Sequence, residues 1–186
     1  MAWRFDRYQP RPEWFAHDPL GIHGISHVSR VLVWAGQIAD ALRTQGRPVD
    51  ADVVYCAAVT HDVGRHNDGA DPEHGRRAAA WVRAHRAFLP VALDDAQLER
   101  LALCCEWHVP PDDEAPEMTN ELTCLKDADG LDRVRIHDLD PRRLRTARAR
   151  QLTAEAQRLL DASRRPRGGD PWERVRAAAL ALSYWR

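Results

Sequence analysis

Residues 53–65 read VVYCAAVTHDVGR, and the reading of this stretch decides the fold. Val53, Val54, Cys56, Ala57, Ala58 and Val59 leave no polar face on a helical wheel, so the segment predicts a helix buried nearly all round. The run breaks at His61-Asp62. Burying unpaired charge is expensive, so an ionisable pair at the end of a buried helix must be hydrated, paired or coordinated to something. Gly46 and Pro48 punctuate the turn before this helix, and Asp50 is placed to cap its N-terminus. Gly64 is expected to supply the backbone freedom that turns both side chains of the pair to one point.

Upstream, Val28, Val31, Leu32, Ala35, Ile38, Ala39 and Leu42 recur at helical spacing and predict an amphipathic helix over 24–42 with one buried stripe. His27 lies beside that stripe, and alone it reads as a satisfied core or boundary histidine. His23, one turn earlier, falls outside the helix or in its first turn and is expected to face solvent. Downstream, Asp71-Pro72-Glu73 has the marks of a helix start, with an N-cap carboxylate, proline at the first helical position and acid in the first turn, so His74 falls in that turn. Asp94 and Gln97 form a capping box for a fourth helix that ends near His108, before Pro110-Pro111. By itself His108 reads as a favourable cation at a helix C-terminus.

After an acidic, proline-rich loop, residues 120–134 predict a helix with Leu122, Leu125, Ala128, Leu131 and Val134 on its apolar face. Asp127, Asp129 and Asp132 are interleaved with that face, and Asp129 borders the core. Beyond Pro141 come a basic turn with Arg142, Arg143 and Arg145, a helix over 152–160, a loop over 164–169 and a last helix capped by Asp170-Pro171-Trp172-Glu173. No stretch alternates with the period of a strand, and nothing repeats. The fold class is therefore all-α, a helical bundle, and one domain is expected over 1–186.

Composition narrows the function. The 27 basic and 28 acidic residues nearly balance, so no global field draws nucleic acid or an anionic membrane, and anion recognition should be local. Lys126 is the only lysine; the other basic residues are arginines, which suit a two-pronged grip on phosphate or carboxylate. The opening MAWRFDRYQPRPEWF has no continuous apolar segment after a basic start, and no window approaches the length of a bilayer span, so a cytoplasmic location is expected. Trp3, Phe5, Tyr8, Trp14 and Phe15 among prolines predict an irregular arm over 1–20, packed onto the body by ring burial. Cys56, Cys104, Cys105 and Cys124 lie in apolar stretches without CxxC spacing and read as reduced core thiols. Adjacent helical side chains point about 100° apart, which argues against a redox or metal pair at Cys104-Cys105.

Taken together, some of these residues form a pattern: His27, the His61-Asp62 doublet 34 residues later, and an aspartate within Lys126-Asp127-Ala128-Asp129-Gly130-Leu131-Asp132. The pattern resembles the HD-domain superfamily of metal-dependent phosphohydrolases, whose signature is a histidine, a later His-Asp doublet and a final aspartate on an all-α scaffold. The resemblance spans roughly residues 21–137 and includes Gly24-x-x-His27-x-x-Arg30-Val31 and Asp71-Pro72-Glu73-His74-Gly75. Within it, the resemblance is to small bacterial HD proteins without an assigned substrate.

The resemblance implies His27, His61, Asp62 and Asp129 as metal ligands. Asp129 is preferred to Asp127 because the family's aspartate usually follows alanine and precedes x-Leu. Asp127 and Asp132 then become supporting or substrate-facing acids, or plain helix-surface acids. Two imidazoles and two carboxylates leave octahedral positions open, which suits Mn²⁺, Fe²⁺, Co²⁺, Ni²⁺ or Mg²⁺. Such a set activates water at neutral pH and polarises a phosphoryl oxygen. His74 and His108 stand in the intervals where some members bind a second ion, so one or two ions are expected; His74 is alternatively a substrate contact or a general acid. Arg65 matches a position where many members carry a basic residue, and it is placed to grip a phosphate. Arg76, Arg77, Arg133 and Arg135 read first as solvated helix faces and second as anion contacts.

The leading expectation is an enzyme, a metal-dependent phosphohydrolase acting on a small phosphorylated metabolite, with nucleotides among the candidates. His61, Asp62, Arg65 and His74 are its expected catalytic residues. One rival is an HD-fold di-iron oxygenase similar to inositol oxygenase, which uses the same four histidines and two aspartates. Another is a non-catalytic nucleotide-sensing or partner-binding HD module, which ranks last because every signature residue is present.

Overall fold

Helix α1 (Ile25–Thr44) carries apolar side chains on more of its surface than one stripe can hold. Val28, Val31, Leu32, Val33, Trp34, Ala35, Ile38 and Ala39 are all fully buried. The reason is position: helices from both halves of the chain lie against α1, so the single stripe expected over 24–42 is replaced by burial on nearly every face. Those helices are α2 (Ala51–Thr60), α5 (Asn120–Asp132), α6 (Ala147–Gln151), α7 (Thr153–Ser163) and α8 (Pro171–Ala181). Helices α3 (His74–Ala84) and α4 (Asp95–Trp107) pack on each other, and α4 rests on α2 and α5. The computed structural model describes residues 3–164 and 169–183, and among these the fold is all-α without a strand. The loop expected over 164–169 lies outside the described residues at 165–168.

Local chemistry sets the helix starts. Asp50 accepts from the backbone N–H groups of Asp52 and Val53. Asp94 and Gln97 make the reciprocal capping box, and the Thr119 hydroxyl accepts from Leu122 N–H to open α5. Asp170 caps α8 through Trp172 N–H, with Pro171 in its first turn. The start expected at Asp71-Pro72-Glu73 is displaced: α3 begins at His74 and has no side-chain cap. Asp71 is engaged elsewhere, accepting from His66 N–H and pairing with Arg77 at 2.5 Å. The basic turn after Pro141 contains an additional short helix, α6, capped by the Thr146 hydroxyl.

Two glycines let α2, α3 and α4 converge. Gly64 does not have a positive φ, so conformational freedom is not its role. A Cβ there would lie 2.7 Å from Ala78 N and 2.8 Å from His74 O, so its missing side chain lets the end of α2 press against α3. A Cβ at Gly75 would lie 2.6 Å from Cys105 O and 3.3 Å from His108 Cε1, which fixes the approach of α3 to α4.

The N-terminal arm is anchored by its rings. Phe5 and Tyr8 meet Tyr55 of α2 edge-on at 5.0 and 5.2 Å, and Trp3 meets Trp172 of α8 at 4.9 Å. Each ring removed from water in this way stabilises the fold by about 1.5–3 kcal/mol. All four cysteines are free and buried, and burial pushes the Cys105 thiol up to about 12, as expected of inert core thiols. No described helix is long and apolar enough to cross a membrane.

Candidate metal centre

Five elements deliver side chains to one point. His61 and Asp62 stand at the end of α2, His27 in the first turn of α1, Asp129 on α5, His74 at the first residue of α3 and His108 at the C-cap of α4. Asp62 is central and its two oxygens face different partners. Oδ2 lies 3.4 Å from His27 Nε2 and 3.8 Å from His61 Nε2, and Asp129 Oδ1 lies 3.4 Å from the same His27 nitrogen. Oδ1 lies 3.0 Å from His74 Nε2 and 3.9 Å from His108 Nε2. The donors thus divide into one group around His27, His61 and Asp129 and another around His74 and His108, joined by the Asp62 carboxylate.

Each of these four imidazoles is held by its outer nitrogen. His61 Nδ1–H donates to Ala58 O at 3.0 Å, His74 to Asp71 O at 2.5 Å, His108 to Cys105 O at 2.6 Å and His27 to Asp132 Oδ2 at 2.7 Å. Asp132 is itself fixed by Arg30, whose Nε and Nη2 donate at 2.6 and 3.0 Å. With the outer nitrogen spent as a donor, Nε2 turns a lone pair inward, the tautomer that ligates metal.

Electrostatics agree with that tautomer. Burial pushes His61 down to about 4 and His108 down to about 3, so both are neutral at physiological pH. Burial opposes ionisation of Asp62, but the imidazoles of His61, His23, His27 and His74 gathered around it outweigh burial and hold the carboxyl well below its usual range. Asp129 is lowered in the same sense, with His27, His61 and Arg135 overcoming burial. The inward nitrogens approach to 2.9 Å between His74 and His108 and to 3.3 Å between His27 and His61. Nitrogen lone pairs that close require a proton or a cation between them, and burial disfavours the proton. The chemistry of the donor set therefore fits a metal. Three groups of donors lie mutually within 4.8 Å: His23, His27 and Asp62; His27, His61 and Asp129; and His61, Asp62 and His108.

The six residues expected as ligands are brought together. Asp132 supports His27, so it is neither substrate-facing nor on the helix surface. Asp127 takes none of its expected places: it is fully buried and accepts from Arg145 N–H, Thr146 N–H and the Thr146 hydroxyl at 2.7–2.8 Å, fastening the chain before α6 to α5. Arg65 is held to Asp62 Oδ1 at 3.1 Å and to Gly69 O, and lines the cavity over the cluster. Arg77 braces the loop after α2 through Asp71 and Gly64 O, and Arg76 stays exposed beside Glu73.

Two expectations of solvent exposure fail. His23 packs into the site, Nδ1 lying 2.9 Å from Asp62 Oδ2. Arg135 reaches the same His23 nitrogen at 3.0 Å, with only 5% of its side chain exposed. His23 and His27 are one helical turn apart, and that spacing was the available signal; Arg135, 112 residues from His23, offered none. Both line a cavity of about 150 Å³ above the cluster, together with Arg65 and Arg133.

An all-α fold with histidines and aspartates converging at a helix end defines the class. An HD domain profile matches residues 24–134, more than half of the chain. The chain belongs to the HD-domain family, whose members are mostly metal-dependent hydrolases. Comparison with curated proteins and with solved structures gave no match.

Proposed function

We propose that the protein is a metal-dependent phosphohydrolase acting on a small phosphorylated metabolite. The observation that carries this reading is the pairing of a metal-type floor with a cationic rim: Arg65, Arg133 and Arg135 surround the cavity whose base is Asp62, His74, His108 and Asp129. A cavity of about 150 Å³ is large enough to admit a phosphoryl group. His27, His61, Asp129 and Asp62 Oδ2 would hold one divalent ion, and His74, His108 and Asp62 Oδ1 a second. Bound there, a divalent ion supplies an acidified water and polarises the phosphoryl oxygens.

The chain's own residues supply the rest. The outer hydrogen bonds of the histidines fix the donor atoms before substrate arrives, so little reorganisation accompanies reaction. Arg135 and Arg65 present guanidinium groups to the non-bridging oxygens, where charge develops during phosphoryl transfer.

The test is elemental analysis of protein purified without added metal or chelator, followed by a screen of phosphoesters with the metal found. Bound Mn, Fe, Co, Ni or Mg together with metal-dependent phosphate release supports the reading. Full activity in purified His61→Ala protein refutes it. One observation favours a second reading: His74 and His108 do turn toward Asp62, completing the four histidines and two aspartates of a di-iron oxygenase. Two irons per chain with substrate-dependent oxygen uptake would favour that chemistry over hydrolysis.

A further inference from the structure

His23 Nδ1 has two close neighbours with opposite requirements. Asp62 Oδ2 lies 2.9 Å away and Arg135 Nη2 lies 3.0 Å away. A carboxylate oxygen only accepts a hydrogen bond, and a guanidinium nitrogen only donates one. An imidazole nitrogen carries either a hydrogen or a lone pair, so it satisfies one neighbour and opposes the other. With a hydrogen on Nδ1, in the neutral ring or in the imidazolium, the Arg135 N–H is opposed; without it, the Asp62 oxygen is. No protonation state of His23 removes the conflict.

The turn that carries His23 holds the ring in this position. Gly24 N–H donates to Gly21 O at 3.0 Å and Ile25 N–H to Pro19 O at 2.8 Å, and a Cβ at Gly24 would lie 2.1 Å from Pro19 O. Arg135 pins the same turn from outside, its Nε donating to Ile22 O at 2.9 Å. The separations are those of a coordination shell. Six donors bound at about 2.1 Å and at right angles stand about 3 Å from their neighbours. His23 Nδ1 is 2.9 Å from Asp62 Oδ2, which is 3.4 Å from His27 Nε2, and donor atoms of these three residues lie mutually within 4.8 Å.

We infer that His23 Nδ1 is a further ligand of the ion that His27 and Asp62 Oδ2 hold, and that metal binding releases Arg135 Nη2 to receive an anion. His23 gives its lone pair to the ion, which ends the conflict with Asp62. Arg135 thereby loses its acceptor, and two like charges repel across the former contact. Its Nε on Ile22 O and its Nη1 on Asp132 O, at 3.2 Å, keep the side chain at the cavity wall. Nη2 turns into the cavity of about 150 Å³ that Arg135 lines, where a phosphoryl oxygen replaces the imidazole as acceptor. The order of binding is metal first, anion second. This deepens the phosphohydrolase reading and rests on it only for the anion being a substrate.

His23 has a signature that the other rings of the centre lack. His27, His61, His74 and His108 direct Nδ1 outward and ligate through Nε2, whereas His23 ligates through Nδ1 and keeps its hydrogen on Nε2. The experiment is nuclear magnetic resonance of protein with isotope-labelled histidine loaded with Cd²⁺, a diamagnetic ion that takes six donors and couples to each ligating nitrogen. Wild type should show a ring bound through Nδ1. His23→Gln should lose that ring alone and bind Cd²⁺ about tenfold or more weakly in competition with a chromogenic chelator. His23→Asp, which restores an oxygen donor, should recover part of the affinity. Arg135→Gln should keep the Nδ1-bound ring and the Cd²⁺ affinity while weakening the binding of inorganic phosphate to the loaded protein by about tenfold. Loaded wild type in which every bound ring is held through Nε2 overturns the inference, as does unchanged affinity in His23→Gln, and both leave metal-dependent hydrolysis standing. Unchanged phosphate binding in Arg135→Gln overturns the release of Arg135. An Nδ1-bound ring in a protein that hydrolyses no phosphoester keeps His23 as a ligand and removes the phosphohydrolase reading.

Discussion

Asp62 at the end of α2 and Asp127 within α5 are both nearly sealed from water, 3% and 0% exposed, and both are ringed by polar groups. Around Asp127 the donors are backbone N–H groups of Arg145 and Thr146 and one hydroxyl at 2.7–2.8 Å, with the Arg145 guanidinium farther off at 3.4 Å. Backbone hydrogens have fixed places, so this carboxylate is a fastener between α5 and the segment leading to α6. Around Asp62 stand four imidazoles whose hydrogens are already directed to Ala58 O, Asp71 O, Cys105 O and Asp132, together with His23 and Arg65. A buried carboxylate facing lone pairs calls for a cation. The origin of the surrounding hydrogens, more than burial, separates a structural acid from a functional one.

The contrast can be broken most decisively at Asp62. Asp62→Ala should reduce bound metal and phosphoester hydrolysis to background while the helical circular dichroism is retained. It should also forfeit the metal-dependent rise in stability, about 4 kcal/mol for wild type at a thousandfold excess of metal over Kd. A variant that keeps its metal would make the two acids equivalent. Asp127→Ala should do the opposite, lowering stability in urea melts by about 2–4 kcal/mol through stranded N–H groups, with metal content unchanged.

Asp132 sharpens the comparison because it shares both characters, anchoring buried Arg30 and orienting His27. Asp132→Asn should weaken metal binding by about 10–100-fold, measured by competition with a chromogenic chelator. Acid probes the same neutral imidazoles in graded form. In chelated protein His61 and His108 sit near 4 and 3 because burial disfavours their charged forms. The unfolded chain takes up these protons near pH 6.5, so stability should fall as pH drops from about 6.5 toward 4, by roughly 1.4 kcal/mol per pH unit for each histidine. Asp112, which Arg145 and Lys126 hold down to about 2, stays charged across that window, and its contribution is lost only as pH falls from about 3.8 toward 2. Urea melts at pH 7 and 5 measure the slope, and His108→Asn should flatten it; equal stability at the two pH values would count against the neutral imidazoles.

The all-α class and most helices follow from apolar spacing and caps, because Asp50, Asp94, Thr119 and Asp170 act within their own turns. The start of α3 does not, since Asp71 is drawn to Arg77 and His66. His27, His61, Asp62 and Asp129 are legible through spacing and family resemblance. The fates of the three α5 acids follow from helical rotation: Asp127 and Asp129 point about 160° apart, so only one can face α1, whereas Asp129 and Asp132 are about 60° apart and flank His27 together. His23 is signalled only by its one-turn spacing from His27, whereas Arg135 is illegible because its meeting with His23 depends on how the turn before α1 packs against the turn after α5.

The close approach of α3 to α4 at Gly75 has a consequence for inheritance. His74 and His108 meet because a hydrogen stands where a methyl would collide with Cys105 O. A glycine-to-alanine change there would part these two histidines while sparing His27, His61 and Asp129, which lie on other helices. The number of ions a descendant of this chain holds can thus drift without the loss of a single ligand, so a tally of conserved ligands alone would miscount its centres.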